Sequence, residues 1–127
     1  MAAILIVDDN EAIRRLLSDL FTRAGFVVQA ARGAEEAMDL CRRDCFDVVL
    51  SDVLMPGTDG HALARHLAVV CPRTRVVLMS GYDPGCDNCP YAPRCWFIHK
   101  PFRPRHVVSY VSKILASPLP ARSASSE

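Results

Sequence analysis

Residues 2–10 read Ala2-Ala3-Ile4-Leu5-Ile6-Val7-Asp8-Asp9-Asn10, an apolar run that stops on two adjacent carboxylates. A run this short and this continuous fits a strand buried on both faces. With no basic segment ahead of it and only six residues from Ala2 to Val7, it reads as neither a signal peptide nor a membrane span. Ala12 to Ala24 then carries apolar residues at helical spacing and is closed by Gly25. Strand followed by helix is the unit, and the rest of the chain repeats it. Phe26 to Ala30 reads as a second strand, and Ala34 to Arg43 as a helix with Ala37, Met38 and Cys41 on one face. Val48 to Ser51 is a third strand, and the turn Met55-Pro56-Gly57-Thr58-Asp59-Gly60 places Asp59 to cap a helix from about His61 to Val70. Arg75 to Met79 and Phe97 to His99 read as the fourth and fifth strands, and Arg103-Pro104 opens a last helix to about Ala116, proline being tolerated in a first turn.

Strands alternating with helices in this way imply a parallel sheet with helices on both faces, because right-handed crossovers deposit them above and below it. The expected fold is therefore α/β, a doubly wound five-stranded parallel sheet. One crossover departs from the rhythm: Pro84, Pro90 and Pro93 lie between the fourth and fifth strands, so a Cys/Pro-rich loop is expected to replace or shorten the fourth crossover helix. Residues 1–116 are read as one folded unit and 117–127, rich in Ser, Pro and Ala, as a disordered tail.

The chain has 127 residues, 50% hydrophobic and 23% charged, a globular balance with room for one core. Fifteen basic residues against 14 acidic ones leave +1, so no overall field would gather nucleic acid or an anionic membrane, and neither is expected as a partner.

In an open parallel sheet, ligands bind outside the carboxyl ends of the strands. Those ends are Asp8-Asp9, Asp52, Ser80 and Lys100. Three carboxylates packed together repel one another unless a cation sits among them, and a hard divalent ion such as Mg²⁺ answers that need. A lysine and a hydroxyl beside the cation make a pocket suited to a phosphoryl group. Any single Asp here has an ordinary reading as a turn or cap, Asp9 above all; the set of five does not.

On these residues the chain resembles the receiver domains of two-component response regulators, in the manner of a chemotaxis-regulator-like single-domain receiver with a flavodoxin-like fold. The matching stretches are Ile4 to Asn10, Asp47 to Gly60, Met79-Ser80-Gly81-Tyr82 and Lys100-Pro101-Phe102. The resemblance implies that Asp52 accepts a phosphoryl group from a sensor histidine kinase or phosphotransfer protein. It implies Mg²⁺ held by Asp8, Asp9, Asp52 and the backbone carbonyl of Leu54, with Ser80 and Lys100 on the phosphoryl oxygens. It also implies a switch through Ser80 and the aromatic Phe97, a cis bond before Pro101, a cytoplasmic setting and a downstream protein effector. Such a module is a regulator rather than an enzyme, its only chemistry being its own phosphorylation and dephosphorylation. Leu54 and Tyr82 are bulky where a small or acidic residue would admit water, which reads as slow loss of the phosphoryl group; the alternative is that both merely pack.

Six cysteines are many for a chain with no export signal, and metal binding or packing is expected ahead of a disulfide framework. Cys86 and Cys89 form a Cys-x-x-Cys, followed by Cys95 and His99. A Zn²⁺ or an iron–sulfur cluster on Cys86, Cys89 and Cys95, completed by His99, Cys71 or an outside ligand, competes with a redox-active Cys86/Cys89 pair and with inert thiols. Cys41 and Cys45, four apart, read as core and helix-end packing. The functional alternative to a phosphoacceptor is thus a metal- or redox-responsive binding module built on the Cys86/Cys89/Cys95 loop.

Overall fold

The computed structural model describes residues 2–53, 57, 59–80 and 95–117, with Cys95 placed by its backbone. In chain order its elements are β1 (Ala3–Val7), α1 (Glu11–Arg23), β2 (Val27–Ala31), α2 (Ala34–Arg43), β3 (Val48–Asp52), α3 (Gly60–Val70), β4 (Arg75–Ser80), β5 (Cys95–His99) and α4 (Pro104–Ala116). The five strands form one parallel sheet in the order β2-β1-β3-β4-β5. The chain moves outward from β1 to β2 and then continues on the other side with β3. The strand order therefore reverses between β1 and β3, where crossovers part to opposite faces and leave a crevice at the carboxyl ends.

The apolar runs divide by alternation, since successive strand side chains point to opposite faces. Leu5, Val7, Val49, Val76 and Leu78 pack with Ala37, Cys41, Leu63 and Leu67 of α2 and α3. Ile4, Ile6, Val48, Leu50, Val77 and Met79 pack with Leu17 and Phe21 of α1 and Val107, Val111 and Ile114 of α4. Every residue of β3 and β4 is buried, as central strands covered on both faces must be.

Local signals set the helix ends. Asn10 caps α1, its side chain accepting from the Ile13 N–H at 3.1 Å, and Asp59 caps α3 by accepting from Ala62 N–H at 2.9 Å. Helix α1 closes in a Schellman turn: Gly25 takes φ 97°, its N–H bonds the Thr22 carbonyl, and the Phe26 N–H reaches the Phe21 carbonyl at 3.0 Å. That turn moves β2 one residue later than the sequence indicates, because the Phe26 amide is spent on the helix and its ring packs edge-on against Phe21 at 5.0 Å. Strand β5 starts two residues early, at Cys95, because β4 offers a partner as far back as Val76.

The cysteines bring a correction. Cys45 and Cys71 form a disulfide, with S–S 2.12 Å and Cα–Cα 5.8 Å, so Cys45 is not mere helix-end packing and Cys71 is not a spare metal ligand. The cause is topological: Cys45 precedes β3 and Cys71 precedes β4, and the pairing of these two strands brings both cysteines to the amino edge of the sheet. Cys41 is buried in the core beside α3, as its spacing indicates, and burial pushes its thiol up to about 11. The Cys/Pro-rich crossover, including Cys86 and Cys89, and residues 118–127 lie outside the described residues. Among the described residues no helix is long and apolar enough to cross a membrane.

Candidate functional site

Strand β1 delivers Asp8 as its chain leaves the sheet, β3 ends on Asp52, β4 ends on Ser80, and Lys100 follows β5 directly. Because the strands are parallel and in register, all four arrive at one rim. Asp8, Asp52 and Ser80 are buried and Asp9 is exposed. Carboxylate oxygens of Asp8, Asp9 and Asp52 lie within 4.8 Å of one another. Lys100 reaches into the group, its Nζ 3.2 Å from Asp52 Oδ2, and the Lys100 N–H donates to the Ser80 carbonyl at 2.8 Å. The Lys100–Pro101 bond is cis.

Burial is the first cause of the raised Asp8 pKa. Asp52 and Asp9 push in the same direction, while the Asn10 N–H, 2.9 Å from Asp8 Oδ1, and Lys100 oppose them. The other oxygen, Asp8 Oδ2, is buried without a hydrogen-bond partner among the described residues. An orphaned carboxylate oxygen beside two further carboxylates is the donor set a hard divalent cation takes, so the residues present fit Mg²⁺. One lysine shared among three acids leaves a net negative cluster, which a divalent ion neutralises.

Phe97 is half-buried on the α2/α3 face of β5 and packs against the core that includes Leu78. His99, two residues on, shares that face, its ring 5.2 Å from that of Phe97. Asp8, Asp9, Asp52, Ser80 and Lys100 are thus brought together, with Phe97 one strand away from Ser80. Leu54, Tyr82, Cys86 and Cys89 lie outside the described residues, as does the Cys95 side chain.

Three residues that position the site escape a reading of strand ends. Asn10 supports Asp8 and caps α1 at once, a role its place ahead of the helical pattern could have announced. Arg14 Nη1 donates to the Asp8 carbonyl at 2.9 Å; no spacing rule connects a strand end to a residue one turn into the next helix. Gly60 opens α3 against the end of β3, donating its N–H to the Val53 carbonyl at 2.9 Å. A Cβ there would stand 2.6 Å from the Asp52 carbonyl oxygen and 3.0 Å from Val53 Cα, so only glycine allows the approach.

Residues 4–112 match the family model for the response regulator receiver domain. The chain is 34% identical over 122 residues to the response regulator protein FleR of Pseudomonas aeruginosa, covering 94% of this chain and 26% of FleR. It is 35% identical over 79 residues to sporulation initiation phosphotransferase F of Bacillus subtilis, covering 62% of this chain and 64% of that protein. The chain therefore spans about a quarter of the first relative and just under two thirds of the second. Among solved structures, the receiver domain of the hybrid histidine kinase CckA superposes with a TM-score of 0.77 at 28% identity, covering 89% of this chain and 98% of that one.

Proposed function

Because the chain belongs to the response regulator receiver domain family, whose members are phosphoacceptors of two-component signalling, we propose that Asp52 is its phosphoacceptor and that Ser80 and Lys100 receive the phosphoryl oxygens. The observation that carries this reading is the convergence of Asp8, Asp9 and Asp52 within 4.8 Å, with Lys100 Nζ 3.2 Å from Asp52.

Receiver domains bind Mg²⁺ at an acidic pocket and take their phosphoryl group from histidine kinases or phosphotransfer proteins. In this chain Asp8, Asp9 and Asp52 would hold the ion, with the Leu54 carbonyl as a fourth protein ligand. When bound, it neutralises the carboxylates and draws charge from the incoming phosphoryl oxygens. A carboxylate oxygen of Asp52 attacks the phosphorus of a phosphohistidine; the P–N bond breaks, its electron pair stays on the imidazole, and an acyl phosphate forms on Asp52. Lys100 moves its pairing from the Asp52 oxygen to a phosphoryl oxygen, and the Ser80 hydroxyl donates to another. The pull on Ser80 opens room for Phe97 to turn inward, and the altered surface near β5 is what a downstream protein effector reads.

On this reading residues 1–116 are the signalling unit, the setting is cytoplasmic, and the chain turns over no substrate other than its own phosphoryl group. The metal- or redox-responsive alternative at Cys86, Cys89 and Cys95 draws no support from the relatives, and Cys71 is committed to Cys45. Intact-mass measurement after incubation with a small phosphodonor and Mg²⁺ tests the assignment: wild type gains one acid-labile phosphoryl group and Asp52→Asn gains none. Equal labelling of the two would place the acceptor elsewhere.

A further inference from the structure

At the far end of the sheet from the phosphoryl site, the loop before β3, the turn before β4 and the end of α4 enclose a cleft of about 680 Å³. Arg75, the first residue of β4, lines it and is only 7% exposed. Its guanidinium donates through Nη2 to the Ser117 carbonyl at the end of α4. Among the described residues no carboxylate lies within ion-pairing distance of it. The one acid in the cleft wall, Asp47, is exposed and directs its carboxylate to the Ala3 N–H, 2.7 Å away.

A guanidinium stays charged at any physiological pH, and burying a charge without a counter-ion is costly. The Ser117 carbonyl, just past the end of α4, offsets part of that cost, but among the described residues it occupies one of five N–H donors. The remaining fork geometry is the one that matches a carboxylate. Arg73 stands exposed on the rim, a second cation without an acidic partner among the described residues. The opposite part of the wall is apolar: Phe46, Leu115 and the Cys45–Cys71 disulfide.

We propose that this cleft is a second ligand site, for a small organic monocarboxylate whose anionic head pairs with Arg75 and whose apolar body lies against Phe46, Leu115 and the disulfide. The volume falls in the range of small-molecule pockets and far exceeds an inorganic anion. A single negative charge suits one buried guanidinium beside Asp47, whereas a dianion would meet that carboxylate. The Thr74 hydroxyl hydrogen is engaged by the Phe46 carbonyl at 2.6 Å, so the head group finds its donors on arginine rather than on hydroxyls. The site is independent of phosphorylation chemistry, being about 17 Å from Ser80 along the six-residue strand β4.

Backbone amide shifts of the isotopically labelled full chain, titrated with hexanoate, test this. The expected result is saturable shifts centred on the amides of Phe46, Asp47, Thr74, Arg75 and Ser117, with a Kd on the order of 1 mM. Hexan-1-ol, of the same shape without the charge, should leave those amides nearly unmoved, and inorganic phosphate should not displace hexanoate. Arg75→Lys keeps a buried cation and loses the fork, so it should bind roughly tenfold or more weakly while retaining the wild-type spectrum. Arg73→Gln, on the exposed rim, should weaken binding by a smaller factor and serves if the Arg75 variant misfolds. Equal shifts with hexanoate and hexan-1-ol, displacement by phosphate, or no saturable shift at all would each overturn the proposal.

Discussion

The disulfide invites the sharpest perturbation, because its two halves differ in environment. Cys71 is buried and Cys45 is exposed, so Cys45→Ser removes the bond with little loss of packing. The bond closes a loop with a sequence separation of 26. In the chain-entropy account, closing a loop of that length stabilises the fold by about 3.5 kcal/mol at 25 °C. An unfolding entropy of about 2.1 cal/mol/K per residue over 127 residues turns that into a fall of about 13 °C in Tm. Thermal unfolding followed by circular dichroism should give three curves: oxidised wild type highest, with wild type in dithiothreitol and Cys45→Ser coinciding well below it. Dithiothreitol should not move Cys45→Ser. Non-reducing tryptic mapping identifies the bond directly, since residues 44–65 carry Cys45 and residues 66–73 carry Cys71. If the linked peptides are found and the melting temperature still barely changes on reduction, the loop-entropy reasoning is wrong. If they are absent from protein kept oxidised, the pairing itself is wrong.

At Gly60, helix propensity alone would make alanine more stable by about 1 kcal/mol, but the 2.6 Å approach to the Asp52 carbonyl predicts net destabilisation of about 1–3 kcal/mol by urea unfolding and slower phosphorylation. A more stable Gly60→Ala would deny the close approach. The Asp8 pKa is raised in the fold, so the stability it contributes is fully present below about pH 3.8, the unfolded value, and is lost as pH rises through the folded one. At pH 7 without Mg²⁺, Asp8→Asn should therefore melt higher than wild type, and it should gain less on adding Mg²⁺. A lower melting temperature for Asp8→Asn in metal-free buffer would contradict the repulsion argued for the acidic cluster.

Strand ends were legible because each apolar run stops abruptly on a polar residue, and parallel topology sends all those stops to one rim. Asp8, Asp52, Ser80 and Lys100 are placed by that pattern alone. The amino edge carries no such mark. Cys45 and Cys71 are distant in the chain, and their meeting depends on β3 and β4 being neighbours, while six thiols with no export signal point away from a bond. Arg75 was equally opaque, since an arginine opening a strand gives no sign that the end of α4 will cover it. The one-residue shift of β2 came from Phe26, whose apolar ring suits a strand while its amide completes the turn after α1.

The parallel order of the sheet also sets when the molecule becomes competent. Asp8 and Asp9 leave the ribosome first, Asp52 and Ser80 follow, and Lys100 comes after the last strand has been made. No pair of neighbouring elements contains the site, so it cannot form as a local nucleus and must await closure of contacts distant along the chain. A nascent chain that ends short of β5 holds three acids without the lysine that pairs with Asp52. Assembly of the rim then doubles as a report that all five strands have paired.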